Sequence, residues 1–183
     1  VMEAGVDQPG LMAKYSRMIR PDIVVVTSIA SEHNRSFKTL ECTRWEKSRI
    51  LADLSPHCLA LLNRDDPHVR WMSGETRART LTFGFDSASD FRAEDLTSEG
   101  LAGTGFTISC RGRKWQVRTG LIGTHMVYPA LAAFIIGVEL KVPPEVILQR
   151  LHSLRPAPLR LDPQRLANGA VLLRDEFKAA EES

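Results

Sequence analysis

Residues 22–29 read DIVVVTSI, a run dominated by apolar and β-branched side chains. A strand that alternates apolar with polar residues can leave one face in water. A continuous run must be covered on both faces, which is the situation of a strand inside a parallel sheet. The flanking sequence is helical. Residues 11–19 place apolar side chains at helical spacing, and Pro21 stops them. Residues 39–54 repeat the pattern, with Trp45, Ile50, Leu51 and Leu54 as apolar positions among charges and Pro56 beyond the end. CLALL at 58–62 is a second buried strand. Asn63-Arg64-Asp65-Asp66-Pro67 then turns the chain into a short helix at 68–72, with Pro67 suited to its first turn. Residues 79–83 form a third strand, closed by Gly84. Strand and helix alternate with short connections, which predicts an α/β fold with a mostly parallel sheet flanked by helices on both faces. Sheets of this kind bind ligands beyond the carboxyl ends of their strands, here the loops at 27–33 and 63–66.

The texture changes at residue 90. Residues 91–96, 105–110 and 114–118 alternate apolar with polar and are punctuated by Gly103, Gly105 and Gly112, which predicts a small antiparallel subsheet at about 90–120. Helical spacing returns at 127–138 and 144–154, Arg155-Pro156-Ala157-Pro158-Leu159 is extended, and 170–173 is a last short strand. A net charge of +2 gives no electrostatic footprint for nucleic acid, and no apolar run reaches the roughly 20 residues of a membrane span. Cys42, Cys58 and Cys110 stand far apart, outside any zinc spacing, as reduced thiols of a cytoplasmic protein would. Val1 runs straight into Glu3-Ala4-Gly5 and the chain stops at Glu181-Glu182-Ser183, so both ends read as cuts through a longer protein.

Four polar clusters sit at strand ends or helix starts: Glu3-Ala4-Gly5, Ser31-Glu32-His33-Asn34, Glu46-Lys47-Ser48 and Asn63-Arg64-Asp65-Asp66. Each has a structural explanation of its own. A histidine after a strand can be a surface or capping residue, a lysine in a charged helix a solvated one, and Asp65-Asp66 before proline a turn and helix N-cap. Their order is more specific. Glu-x-Gly, Arg-Pro-Asp, an apolar strand, x-His, a helix with Glu-Lys and Asn-x-Asp-Asp-Pro resembles the central domain of the Mur ligase family. The resemblance leans toward the branch that adds D-alanyl-D-alanine to a UDP-muramoyl tripeptide. Gly123-Thr124-His125 followed by Ala130-Leu131-Ala132-Ala133 is similar to the family's Gly-x-His-Asn…Asn-Ala-Leu-Ala-Ala. Residues 154–161 are similar to its linker Pro-x-Gly-Arg-Leu, and Arg174-Asp175-Glu176-Phe177-Lys178-Ala179 to its Asp-Asp-Ser-Tyr-Asn-Ala.

The resemblance implies a truncated P-loop-type α/β domain over 1–155 and a linker with the start of a C-terminal domain over 156–183. It implies an ATP-dependent carboxylate–amine ligase of peptidoglycan precursor synthesis working through an acyl-phosphate. The cofactors would be ATP and Mg²⁺. The small-molecule substrates would be a carboxylate acceptor such as a UDP-muramoyl-peptide and the amine of an amino acid or dipeptide. By match of position, Glu3, His33 and Lys47 would hold magnesium, Lys47 as a carbamate, with Lys47 and His33 serving catalysis. Asn63 and His125 would meet the adenine, Asp175 the ribose hydroxyls and Arg160 the phosphates. The family's Gly-rich phosphate loop, expected upstream of Glu3, has no counterpart here, so the fragment alone is expected to be inactive and to pair with a partner or a copy of itself.

The sequence also departs from the family pattern. Met126 and Pro129 stand for asparagines, Leu159 for the glycine before the linker arginine, and Phe177, Lys178 and Ala180 for the Tyr and the two Asn of Tyr-Asn-Ala-Asn. These substitutions keep two alternatives open, a divergent Mur-like paralogue acting on another carboxylate and a non-catalytic nucleotide-binding module.

Overall fold

In the computed structural model, residues 1–30 and 37–176 are described. The chain divides into two compact units, Val1–Phe91 and Arg92–Ser183. The first runs α1 (Leu11–Ile19), β1 (Ile23–Val26), α2 (Leu40–Ala52), β2 (Leu59–Asn63), α3 (Pro67–Trp71) and β3 (Arg79–Gly84). The three strands are parallel, with Val24 opposite Ala60 and Leu61 opposite Leu81. The α/β order expected from the hydrophobic runs is therefore present. β2 lies between the other two strands and is buried along its whole length. Val24, Ala60 and Leu62 of the sheet pack with Leu51 of α2, Leu54 just beyond it, Val69 of α3 and Met72. Burying a leucine side chain of this kind contributes about 1.5–3 kcal/mol.

β1 is shorter than the apolar run that encodes it. The run continues to Ile29, but the ladder stops at Val26 because side chains of the turn after β2 take the next backbone groups. Asn63 Nδ2 donates to the Thr27 carbonyl at 2.8 Å, and the Ile29 N–H donates to Asp66 Oδ2 at 2.8 Å. Asp66 is also the N-cap of α3, its Oδ1 accepting from the N–H groups of His68 (2.8 Å) and Val69 (3.1 Å), with Pro67 in the first turn. The neighbouring Asp65 serves β3 instead. Its carboxylate accepts from the N–H groups of Phe85 (2.7 Å) and Asp86 (2.9 Å). That arrangement requires glycine at 84, where φ is +147° and an Asp65 carboxylate oxygen lies 2.6 Å from the point a Cβ would occupy.

The face of α2 also differs from the expectation. Trp45, placed by its spacing among the apolar positions, is 54% exposed with the Arg49 guanidinium 5.4 Å from its ring centroid, while its neighbour Glu46 is 1% exposed. The reason lies in α1. Its N-cap is Gly10, which has no side chain with which to cap. Glu46 reaches across from α2 to do so, with Oε2 accepting from the Gly10 N–H and Oε1 from the Met12 N–H, both at 2.9 Å. Glu46 thus takes an inward position on α2 and Trp45 stays at the surface.

The second unit opens with an antiparallel meander of β4 (Phe91–Ser98), β5 (Thr104–Cys110) and β6 (Arg113–Thr119). A register shift between Glu94 and Thr97 coincides with φ +54° at Asp95, whose carboxylate accepts from the Thr107 hydroxyl at 3.0 Å. Two helices follow, α4 (Val127–Glu139) and α5 (Pro144–Ser153), with Phe134 of α4 against Trp115 of β6 at a centroid distance of 5.2 Å. A hairpin of β7 (Asp162–Arg165) and β8 (Val171–Arg174) closes the described chain. β7 is absent from the sequence reading. Its residues, DPQR, carry neither apolar alternation nor β-branching, and proline is tolerated there because a two-stranded ribbon has only edge strands.

Two predictions follow from the turn after β2. Asp66→Ala removes the acceptor of three backbone N–H groups and is expected to lower stability by about 2–3 kcal/mol, with Asp66→Asn losing less, as read from urea denaturation followed by tryptophan fluorescence. The Asp86 carboxyl is held below the usual aspartate range, first by the Ala88 N–H and then by Arg64. A depressed carboxyl stabilises the fold above its unfolded pKa and loses that effect as pH falls through its folded value. In an NMR titration its midpoint should therefore lie below that of ordinary aspartates, and Asp86→Asn should flatten the acid limb of the stability curve.

Candidate functional site

Glu3 and Lys47, two of the candidate metal residues, sit on segments that contribute to one small cluster. Glu3 is exposed, on the segment preceding α1, whereas Ala4 and Val6 of that segment pack inward. Val6 and Met12 form a buried cluster with Phe37, joined by Ala4, Leu11, Tyr15 and, from α2, Ile50. Phe37 stands four residues after His33. Lys47 is half-buried on α2, next to Glu46, whose two oxygens bind the start of α1. Glu46 is therefore occupied by backbone, and Glu3 remains as a carboxylate. His33, with the rest of Ser31-Glu32-His33-Asn34, lies outside the described residues. Among the described residues, no three His, Cys, Asp or Glu side chains gather as a metal cluster.

A hard divalent cation takes oxygen ligands. Glu3 offers a carboxylate that fits. The Lys47 ammonium offers none, and fits only once CO₂ has converted it to a carbamate.

Asn63, 4% exposed at the end of β2, spends one amide hydrogen on Thr27 and its Oδ1 on the Asp65 N–H (3.0 Å). Its second amide hydrogen is what it could offer a base edge. In the second unit, His125 is exposed in a 3-10 turn, Thr124–Met126, that leads into α4. The turn depends on Gly123, at φ +97°, because the His125 ring folds back to 2.7 Å from where a Cβ would stand. Arg160 is exposed, and the residues on either side of it, Leu159 (φ +67°) and Leu161 (φ +46°), are both left-handed. The Leu161 N–H donates to Asp175 Oδ1 at 3.2 Å, so the structure brings Arg160 and Asp175 together through one backbone bond. Arg155, a near neighbour in sequence, is accounted for separately: its Nη1 donates to the carbonyls of His152 (3.1 Å) and Leu154 (2.8 Å) at the end of α5. Phe177, Lys178 and Ala180 lie outside the described residues.

A parallel sheet whose strand-end turns are built from amide and carboxylate side chains, followed along the chain by an antiparallel meander and a helical pair, makes this an α/β protein. The sequence matches the Mur ligase middle domain over residues 1–137, three quarters of the chain, and the protein belongs to that family. The UDP-N-acetylmuramate–L-alanine ligase of Xylella fastidiosa strain M12 is 37% identical over 137 residues, which cover 74% of this chain and 28% of that protein. The UDP-N-acetylmuramoyl-tripeptide–D-alanyl-D-alanine ligase of Escherichia coli K12 is 29% identical over 183 residues, covering 98% and 40%. The crystal structure of MurF from Acinetobacter baumannii superposes with a TM-score of 0.88 at 22% identity, covering 98% of this chain and 39% of that one. MurF from Thermotoga maritima in complex with ADP superposes with a TM-score of 0.83 at 21% identity, covering 96% and 40%. The chain thus spans between about a quarter and two fifths of the relatives it matches.

Glu46 is the residue that sequence reasoning left without a role. The signal that could have found it is negative: α1 begins at a glycine with no capping side chain of its own, so its first N–H groups had to be satisfied from elsewhere. The left-handed conformation at Leu159 gives the next expectation. Leu159→Gly relieves a strain of roughly 1–2 kcal/mol against a glycine entropy cost of about 0.5–1 kcal/mol. A small rise in melting temperature is expected, and Leu159→Val should lower it.

Proposed function

We propose that the chain is the central part of an ATP-dependent ligase that joins a carboxylate to an amine through an acyl-phosphate, in the building of peptidoglycan precursors in the cytoplasm. The observation that carries the proposal is the match to the Mur ligase middle domain across residues 1–137, on a fold with strand-end turns of the required kind. In this reading residues 1–155 are the central domain, and 156–183 a linker and the start of a further domain.

The chemistry transfers a phosphoryl group from one anion to another, so it needs cations and positioning more than covalent help from the protein. Magnesium, when bound, offsets the charge of the phosphates. Glu3, His33 and carbamylated Lys47 are the proposed ligands, the carbamate turning a half-buried cation into an oxygen donor. Asp175 accepts the ribose hydroxyls with the carboxylate oxygen that does not hold Leu161. Arg160, on a backbone bonded to that same aspartate, presents its guanidinium to phosphate. His125, exposed over Gly123, and the second amide hydrogen of Asn63 serve the adenine edge. The acceptor carboxylate attacks the terminal phosphorus and ADP leaves. The amine then displaces phosphate from the acyl carbon, and its proton passes to solvent.

Two specific likenesses bear on the substrate, the alignment along nearly the whole chain with a D-alanyl-D-alanine ligase and the higher identity over a shorter span with an L-alanine ligase. The test is ADP release with magnesium by the protein from its complete reading frame. UDP-muramoyl-tripeptide with D-alanyl-D-alanine is compared with UDP-N-acetylmuramate and L-alanine. Release that requires both members of the first pair is expected, and Lys47→Ala should reduce it at least about a hundredfold, as loss of a ligand-forming group does. Turnover with only the second pair would move the enzyme to the L-alanine-adding branch. Absence of turnover with either would remove the peptidoglycan assignment, and full activity in Lys47→Ala would return Lys47 to a solvated helix face.

A further inference from the structure

Two indole rings reach the surface of the first unit side by side. Trp45 of α2 is 54% exposed and Trp71, the last residue of α3, is 37% exposed. With the buried Phe37 they line one cleft of about 560 Å³. A concavity of that size, walled largely by aromatic carbon with a few polar groups, has the form of a small-molecule site. The polar groups on its wall fall into two kinds. Its acids are already engaged. Glu46 gives its two oxygens to the Gly10 and Met12 N–H groups. The Glu41 carboxyl is held below the usual glutamate range first by its own backbone N–H and then by the Thr39 hydroxyl, the fields of His68 and Arg44 adding less. The cations keep their donors. The Arg44 guanidinium lies over the Trp71 ring, 4.0 Å from the centroid, a contact that anchors the group without using an N–H. Arg44 Nε is shielded from solvent and has no hydrogen-bond partner among the described residues. Lys38 stands on the same wall. An occupant that completes this cleft therefore brings a flat apolar ring and a negative charge, whereas a second copy of the chain would set like cations against each other.

We propose that this cleft binds a planar aromatic carboxylate, the ring packing on the indoles of Trp45 and Trp71 and the carboxylate accepting from Arg44 with Lys38 beside it. Aromatic rings supply the area, and a guanidinium already fixed on a ring loses little freedom when it meets a carboxylate. Glu3, Lys47 and Asn63 are not among the lining residues, so the site is additional to those assigned to ligation.

The experiment uses the protein from its complete reading frame and 2-naphthoate as the probe. Naphthalene-2-carboxamide keeps the ring without the charge, and cyclohexanecarboxylate keeps the charge without the flat ring. Affinity is read by titration calorimetry. The place of binding is read from Cys42, an exposed thiol on the cleft wall, whose alkylation by iodoacetamide is followed by mass spectrometry with and without probe. The expected dissociation constant for 2-naphthoate is about 1 mM or tighter, the range open to a ligand of its size, with Cys42 protected in proportion to occupancy. The carboxamide and Arg44→Gln should each cost at least about tenfold, as loss of a charge-assisted hydrogen bond does. Cyclohexanecarboxylate and Trp45→Leu should each cost at least about threefold. Arg44→Lys keeps the charge and loses the planar fork, so it should fall between, and it preserves the test if the glutamine variant does not fold. Arg111→Gln, in the turn between β5 and β6, should match wild type. Absence of binding at about tenfold above the expected constant would overturn the proposal. Equal affinity for the carboxamide, or unchanged affinity in Arg44→Gln, would also overturn it by removing the anion from the recognition. Binding that leaves Cys42 unprotected would put the probe elsewhere and overturn it as well.

Discussion

Where a parallel strand ends, its last N–H and C=O groups leave the ladder, and in a buried sheet they must find other partners. In this protein a single turn, Asn63 to Asp66, supplies them. Asn63 takes the carbonyl beyond β1, Asp66 takes the N–H two residues further and the first turn of α3, and Asp65 takes the N–H groups that follow β3. Three side chains therefore decide where β1 stops, how α3 starts and how the chain leaves β3.

The second constraint is the buried Glu46. Burying a lone carboxylate is costly, and cores tolerate it only when its oxygens are bonded. Gly10 and Met12 provide the bonds, and in return a nine-residue helix that opens at a glycine acquires a cap. Stability at the α1–α2 contact draws on these two hydrogen bonds.

The element order was legible because it rests on hydrophobic runs and their spacing, which burial in a sheet imposes directly. The Asp66 cap was legible for a similar reason, since Asp-Pro before an apolar position is a local signal. What escaped was set by distant partners. Nothing within 22–29 says that the ladder stops at Val26, because the competing groups lie at Asn63 and Asp66. Nothing in the spacing of α2 says that Glu46 faces in, because its partners lie at Gly10 and Met12. β7 carries no strand pattern and exists through pairing with β8. At the candidate site, the resemblance named the residues, and the structure adds how some are held: Asp175 bonded to Leu161 beside Arg160, and the left-handed Leu159 that explains why glycine is the family's residue there. His33 could be named only from the sequence.

The central claim is that a carboxylate is activated by phosphoryl transfer, and the fate of its oxygen tests this most directly. The complete protein would be given ATP, magnesium, the amine and an acceptor labelled with ¹⁸O in its carboxylate, and the released phosphate read by mass spectrometry. An acyl-phosphate route carries one labelled oxygen from each acceptor into inorganic phosphate. Phosphate that leaves unlabelled while amide forms would contradict the account, since the carboxylate would then have been activated some other way.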